Sequence, residues 1–169
     1  PIMQTTAARF WLNTIVKYAD DYAKDAVLAE STNTRIGLQK LLDDKKAEGY
    51  NKLLLLPGKY RIDNNGTIYV PTEFTLDMNN STLKENQFTG NKSLMISLDG
   101  TFNSHVINGI IEGDYFSHDY ANSTNNSEWV NALGMSECYY CSYENLQLTD
   151  ITGYGCATGR GEQHYNVEY

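Results

Sequence analysis

The stretch whose reading decides the fold runs from Gly49 to Asp114: GYNKLLLLPGKYRIDNNGTIYVPTEFTLDMNNSTLKENQFTGNKSLMISLDGTFNSHVINGIIEGD. Short β-prone runs recur in it, separated by Gly, Asn and Asp turns. No helical period links the runs, and no tight hairpin dipeptide joins strands of matching length. The pattern predicts a chain winding into a parallel β-solenoid. Leu53 to Leu56 is wholly apolar, as expected of a strand with the solenoid interior on one face and a covering helix on the other. Pro57-Gly58 turns the chain. Strands are expected at Tyr60–Ile62, Thr67–Val70, Phe74–Met78, Thr82–Lys84, Leu94–Leu98, Ser104–Ile107 and Ile110–Glu112, with Phe74, Leu76 and Met78 on one face.

Working outward, Asp114 to Glu128 reads DYFSHDYANSTNNSE and breaks this pattern. It is polar, rich in Asn and Ser, and carries aromatic residues, so it reads as a loop leaving the solenoid. Strands resume over Trp129–Met135 and Tyr139–Ile151, and Gly153 to Gly161 is turn-rich. A weak repeat superposes Met78–Leu83, Val106–Ile111 and Tyr143–Leu148 on Asn80, Asn108 and Asn145, at intervals of 28 and 37 residues. Intervals of this size suit stacked coils, and the loop accounts for the longer one. Asparagines stacked at a bend can hydrogen-bond from coil to coil.

On the other side, Thr5 to Ala29 looks helical. Leu12, Ile15, Ala19, Tyr22, Ala26 and Ala29 follow a heptad seam. Both a self-associating neck and a single packed helix fit that seam. Ser31 to Thr34 are good N-cap residues, and a second helix follows over 34–48. Lys45 and Lys46 suit its last turn, and Gly49 suits the position just past it. The expected division is a neck over 1–30 and a solenoid with its capping helix over 31–169. The strand-like HYNVEY run ending at Tyr169 has no visible cap, so the solenoid is expected to continue.

The formal charge is −8, with 21 acidic and 13 basic side chains. Such a surface repels a phosphate backbone, so nucleic acid is a poor partner. No apolar run approaches a membrane span, and no leader is visible. Thirteen tyrosines suit strands and also sugar rings and wet interfaces. Cys138, Cys141 and Cys156 are odd in number, against a closed disulfide framework. Cys138 and Cys141 would point to opposite faces of a strand, so buried thiols are expected rather than a metal site.

The opening of the solenoid resembles a known family. A short helix, then Leu53-Leu-Leu-Leu-Pro-Gly-Lys-Tyr-Arg-Ile62, then Val70-Pro71 and Phe74-Thr-Leu-Asp-Met78, is similar to the start of the pectate-lyase-superfamily right-handed parallel β-helix. The resemblance covers about residues 34–155. It implies a mainly β fold, a right-handed single-stranded parallel β-helix of which these are N-terminal coils, preceded by one or two α-helices. With its leading neck, the chain looks like phage tailspike and appendage proteins. That likeness implies a homotrimer in the virion tail, joined to other tail proteins through its N-terminal segment. The partner would be a bacterial surface polysaccharide, bound and in some relatives depolymerised. A secreted, extracellular lyase or glycoside hydrolase is the alternative, and a non-catalytic virion stalk is a third. No cofactor and no membrane insertion are implied.

Glycoside hydrolysis asks for two carboxylates. Glu112 and Asp114 lie two apart, hence on one strand face if the strand continues, and they sit where the coils meet the loop. They are the candidate catalytic pair, with a solvated strand edge as the plainer alternative. No acidic cluster has calcium-loop spacing. Tyr115, Phe116, Tyr120 and Trp129, interleaved with Asn122, Asn125 and Asn126, are the candidate sugar-binding residues. The same rings would also serve to pack the loop onto the solenoid. His105, His118 and His164 are scattered and read as satisfied or exposed.

Overall fold

The computed structural model describes residues 34–62, 66–86, 92–121 and 129–158. The neck over 1–30 and the HYNVEY run lie outside these residues. One helix, α1 (Thr34–Ala47), and nine strands are described. The strands are β1 (Lys52–Leu54), β2 (Lys59–Ile62), β3 (Ile68–Tyr69), β4 (Thr75–Glu85), β5 (Lys92–Ser97), β6 (His105–Glu112), β7 (Trp129–Met135), β8 (Ser142–Thr149) and β9 (Cys156–Thr158). Of the one or two helices expected, the second is present and the first falls outside the described residues.

The fold is mainly β, with every described strand pairing parallel. One sheet runs β1-β4-β6-β8, with β2 also on β4, and the other runs β3-β5-β7-β9. From β3 onward the chain passes from one sheet to the other at each successive strand. Each strand therefore pairs with the one two elements later, as Leu76 does with Val106 and Val106 with Tyr143.

Apolar side chains from both sheets fill the space between them. Leu76, Leu83, Val106, Ile111 and Tyr143 come from the larger sheet, and Ile68, Ile96 and Leu133 from the smaller. Burying each large aliphatic or aromatic group stabilises the fold by roughly 1.5–3 kcal/mol. The helix α1 lies against β1, β2 and β3 and buries Leu38, Leu41 and Leu42. Its end follows from its sequence. Gly49 adopts φ +87°, and the amides of Gly49 and Tyr50 donate to Lys46 and Lys45 carbonyls, which closes the last turn.

Two pairs of short strands expected from the sequence are single bent strands. β4 and β6 each continue through a left-handed bend, at Asn79 and Asn80 in β4 and at Asn108 in β6. β8 bends likewise at Asn145. Asparagine tolerates this conformation better than other non-glycine residues, because its short amide bonds locally. The stack is closed by side chains. Asn145 Nδ2 donates to Asn108 Oδ1 at 3.2 Å, and Asn108 Nδ2 donates to Asp77 Oδ1 at 3.1 Å. Asp77, not Asn80, is therefore the third partner. The pairing register shifts between Asp77 and Ser81, so three β4 residues oppose one β6 residue.

The cysteine geometry differs from the expectation. Cys138 and Cys141 flank Tyr140, whose φ is +54°, so they sit on a turn rather than on one straight strand. Both are buried on the same interior side. Burial, then the neighbouring Cys141 thiol, pushes Cys138 up to about 12.

Candidate functional site

The larger sheet's strands point the same way, so its outer face has two rims, one before β6 and β8 and one after them. The far rim begins where β6 ends. Gly113 N donates to Thr149 O and Tyr115 N to Asp150 O, so the chain stays paired with β8 while the loop starts. A Cβ at Gly113 would sit 2.5 Å from Asp150 O, so the approach needs glycine.

Asp114 then turns inward. His118 Nδ1 lies 2.8 Å from Asp114 Oδ2, and Thr152 Oγ1 donates to Asp114 Oδ1 at 2.6 Å. The side chains of Asp114 and His118 have no solvent exposure. The carboxylate accepts only, so His118 Nδ1 carries the proton in this pair. Ser117 N and Oγ both donate to Asp114 O, which closes the turn. A buried polar knot thus ties the loop to the β8–β9 connection.

The aromatic residues stand outside that knot. Phe116 is 85% exposed, and Tyr115 and Tyr120 are each 49% exposed. Tyr115 meets Phe116 edge-to-face with centroids 5.1 Å apart, and His118 meets Tyr120 at 4.7 Å. Tyr120 OH donates to Tyr115 O at 3.2 Å. The structure brings Tyr115, Phe116 and Tyr120 together. Trp129 opens β7 and pairs with Lys92 on the other sheet.

Glu112 belongs to a different network from Asp114. It takes an ion pair from Lys59 at 2.7 Å and another from Lys84, its neighbour in register. Burial raises its carboxyl, but the hydrogen bonds from Lys59 and Lys84 outweigh this and hold it below the usual range. A carboxylate held ionised suits a base or a nucleophile and not the proton donor of a glycosidase. Asp77 is set similarly. Burial raises it, and Lys52, Asn108 and the Asn79 amide lower it further. Among the described residues, no three His, Cys, Asp or Glu side chains lie close enough together to hold a metal ion.

The near rim escaped the sequence reading. Glu73, Asn103 and Tyr140 occupy equivalent positions in three stacked turns, with φ of 53°, 49° and 54°. Glu73 N donates to Phe102 O, and Asn103 N donates to Tyr139 O. Phe102, Tyr139 and Tyr140 are 44%, 53% and 77% exposed. Phe102 and Tyr140 meet edge-to-face at 5.5 Å. An aromatic residue in the left-handed region costs about 1–2 kcal/mol. Just inside the rim, His105 Nδ1 lies 2.7 Å from Ser142 Oγ, which donates to Glu144 Oε1 at 2.5 Å. His105 Nε2 is 3.3 Å from Asn103 Oδ1. The β6–β8 pairing joins His105 to Ser142 at the 37-residue interval that Asn108 and Asn145 already mark, but nothing in the residues of this rim singles them out.

No family model matches the chain, and no curated protein matches it either. Four solved chains do match it, two of them as follows. One is a provisionally named glycosyl hydrolase of Parabacteroides merdae, with TM-score 0.58, 16% identity, and coverage of 74% of this chain and 65% of that one. The other is the A-module of a mannuronan C-5 epimerase of Azotobacter vinelandii, with TM-score 0.57, 16% identity, and coverage of 75% of this chain and 36% of that one. The chain therefore spans less than two thirds of either. The likeness is one of fold, and both similar proteins bear carbohydrate-active names.

Proposed function

We propose that this chain winds as a parallel β-helix that recognises a polysaccharide. The alternation between two parallel sheets and the stacked asparagine bends support the β-helix. The observation that carries the recognition is the exposed Tyr115–Phe116–Tyr120 cluster, seated on the buried Asp114–His118–Thr152 knot. Rings held rigidly against solvent offer flat apolar faces to pyranose rings at little entropic cost. If the polysaccharide is also cut, Glu112 is the proposed base or nucleophile, and Asp114 holds the loop that carries the rings.

The test is affinity electrophoresis against bacterial capsular and wall polysaccharides, with an assay for new reducing or unsaturated ends. Retardation by one polysaccharide that is lost in Tyr115→Ala/Phe116→Ala supports the reading. Equal mobility in every gel overturns it.

The heptad seam of residues 5–29 supports a second reading, a trimeric virion appendage adsorbing to a host surface. Light scattering at low micromolar concentration decides it. A trimer mass supports the appendage, and a monomer favours an extracellular carbohydrate-active enzyme.

A further inference from the structure

The near rim is a glycan subsite in its own right: we propose that Phe102, Tyr139 and Tyr140 hold an uncharged sugar ring, at the opposite end of β6 and β8 from Tyr115. This rests on the polysaccharide reading above. Three observations carry it.

The first is the conformation of Tyr140. Its coil neighbours at the same position are Glu73 and Asn103, and asparagine accepts a positive φ more readily than tyrosine. A bulky ring is nevertheless held there, 77% exposed. The stacked turns impose the positive φ, so what the fold leaves unexplained is an exposed tyrosine at this position, and such outliers point to function. The second is the arrangement. Phe102 and Tyr140 come from adjacent coils and meet at 5.5 Å, edge to face, so each leaves a face open. Asn103, His105 and Glu144 lie beside them with polar atoms suited to hydroxyl groups.

The third is charge. The turns and strand starts around Phe102 and Tyr140 carry Glu73, Asp99, Glu137 and Glu144, and the one lysine among the strand starts at this end of the sheet, Lys52 of β1, is paired with Asp77 at 2.9 Å. A uronate would meet like charge there, so the complementary ligand is a neutral hexose or N-acetylhexosamine unit. The far end of the same sheet differs in mixing signs, since Lys59, Arg61 and Lys84 lie there with Glu112, which pairs with both lysines. A chain crossing both rims would place its uncharged units at the near one.

Calorimetric titration of the whole chain tests this, with neutral β-glucan, mannan, galactan and N-acetylglucosamine oligomers against polymannuronate. Tyr140→Asn is the decisive variant, because asparagine keeps the left-handed turn and a thermal melt then reports an intact fold. Phe102→Ala is the second. The expected result is binding to a neutral glycan, weakened roughly tenfold by each variant. Binding to a neutral glycan that neither variant alters overturns the subsite and leaves the polysaccharide reading intact. Binding to polymannuronate alone overturns the neutral class. Binding to none of these, together with no retardation by any capsular or wall polysaccharide, overturns both readings.

Discussion

Asn145 donates its side-chain amide to Asn108 Oδ1 on the neighbouring strand, while the two residues hold left-handed backbones with φ of 51° and 59°. Each amide meets a donor or acceptor of the neighbouring strand at the point where its own strand bends. The chain thereby keeps its backbone pairing on both sides of the bend, from Val106↔Tyr143 to Gly109↔Leu146.

Asn108→Ala removes a favourable left-handed residue and two side-chain hydrogen bonds. The expected loss is about 2–4 kcal/mol, from roughly 1 kcal/mol of backbone strain and 0.5–1.5 kcal/mol for each of the two bonds. Asn108→Gly keeps the bend and should lose less. Urea titrations of the two variants check this. Equal losses would mean that the conformation contributes nothing.

Gly109 packs directly against Met78, where an added Cβ would lie 2.6 Å from both Met78 Cβ and Cε. Gly109→Ala should cost about 1–3 kcal/mol through overpacking. Met78→Ala removes the Cε clash but leaves the Cβ clash, so the double variant should recover only part of the loss. A double-mutant cycle measures that coupling. Full recovery would place the strain in the Met78 side chain alone.

Acid should weaken this fold through Glu112 and Asp77. Both carboxyls lie below their unfolded values, so their stabilisation is present above the usual carboxylate range. It is lost as pH falls through their lower folded values. Wild type should therefore exceed Glu112→Gln in urea midpoint at pH 7, and the gap should close toward pH 3. A gap independent of pH would show that the lysine pairs do not stabilise the ionised form.

The Cys138 thiol should resist alkylation in the native chain, because burial and Cys141 push it up to about 12 and the thiolate is the nucleophile. Iodoacetamide at pH 8 should label it slowly, and quickly in urea. Peptide mass mapping reads the site. Rapid native labelling would mean that the turn opens freely.

Much of the strand pattern was legible along the chain, because a buried strand must be apolar and a turn needs Gly, Asn or Pro. The apolar run from Leu53 forms a strand only to Leu54 and buries Leu53 and Leu55 while Leu54 and Leu56 stay half-buried, whereas Tyr60 to Ile62 and the helix end at Gly49 sit as the residues foretell. So do Asn108 and Asn145, whose repeat is readable because one short amide suits one tight bend. The third partner was not readable. Asp77 takes Asn108's amide because β4 has two extra residues at its bend, and pairing register is a property of two strands, not one. Tyr115, Phe116 and Tyr120 read as a cluster because they are neighbours in sequence. Phe102 with Tyr140, and His105 with Ser142 and Glu144, come together only when β6 pairs with β8. Side chains 37 or 38 residues apart become neighbours because parallel pairing sets each strand about 4.8 Å from the last. The roles of the acids follow the same division. Spacing names Glu112 and Asp114 as a pair, but Lys59 and Lys84 reach one across the sheet while His118 and Thr152 enclose the other.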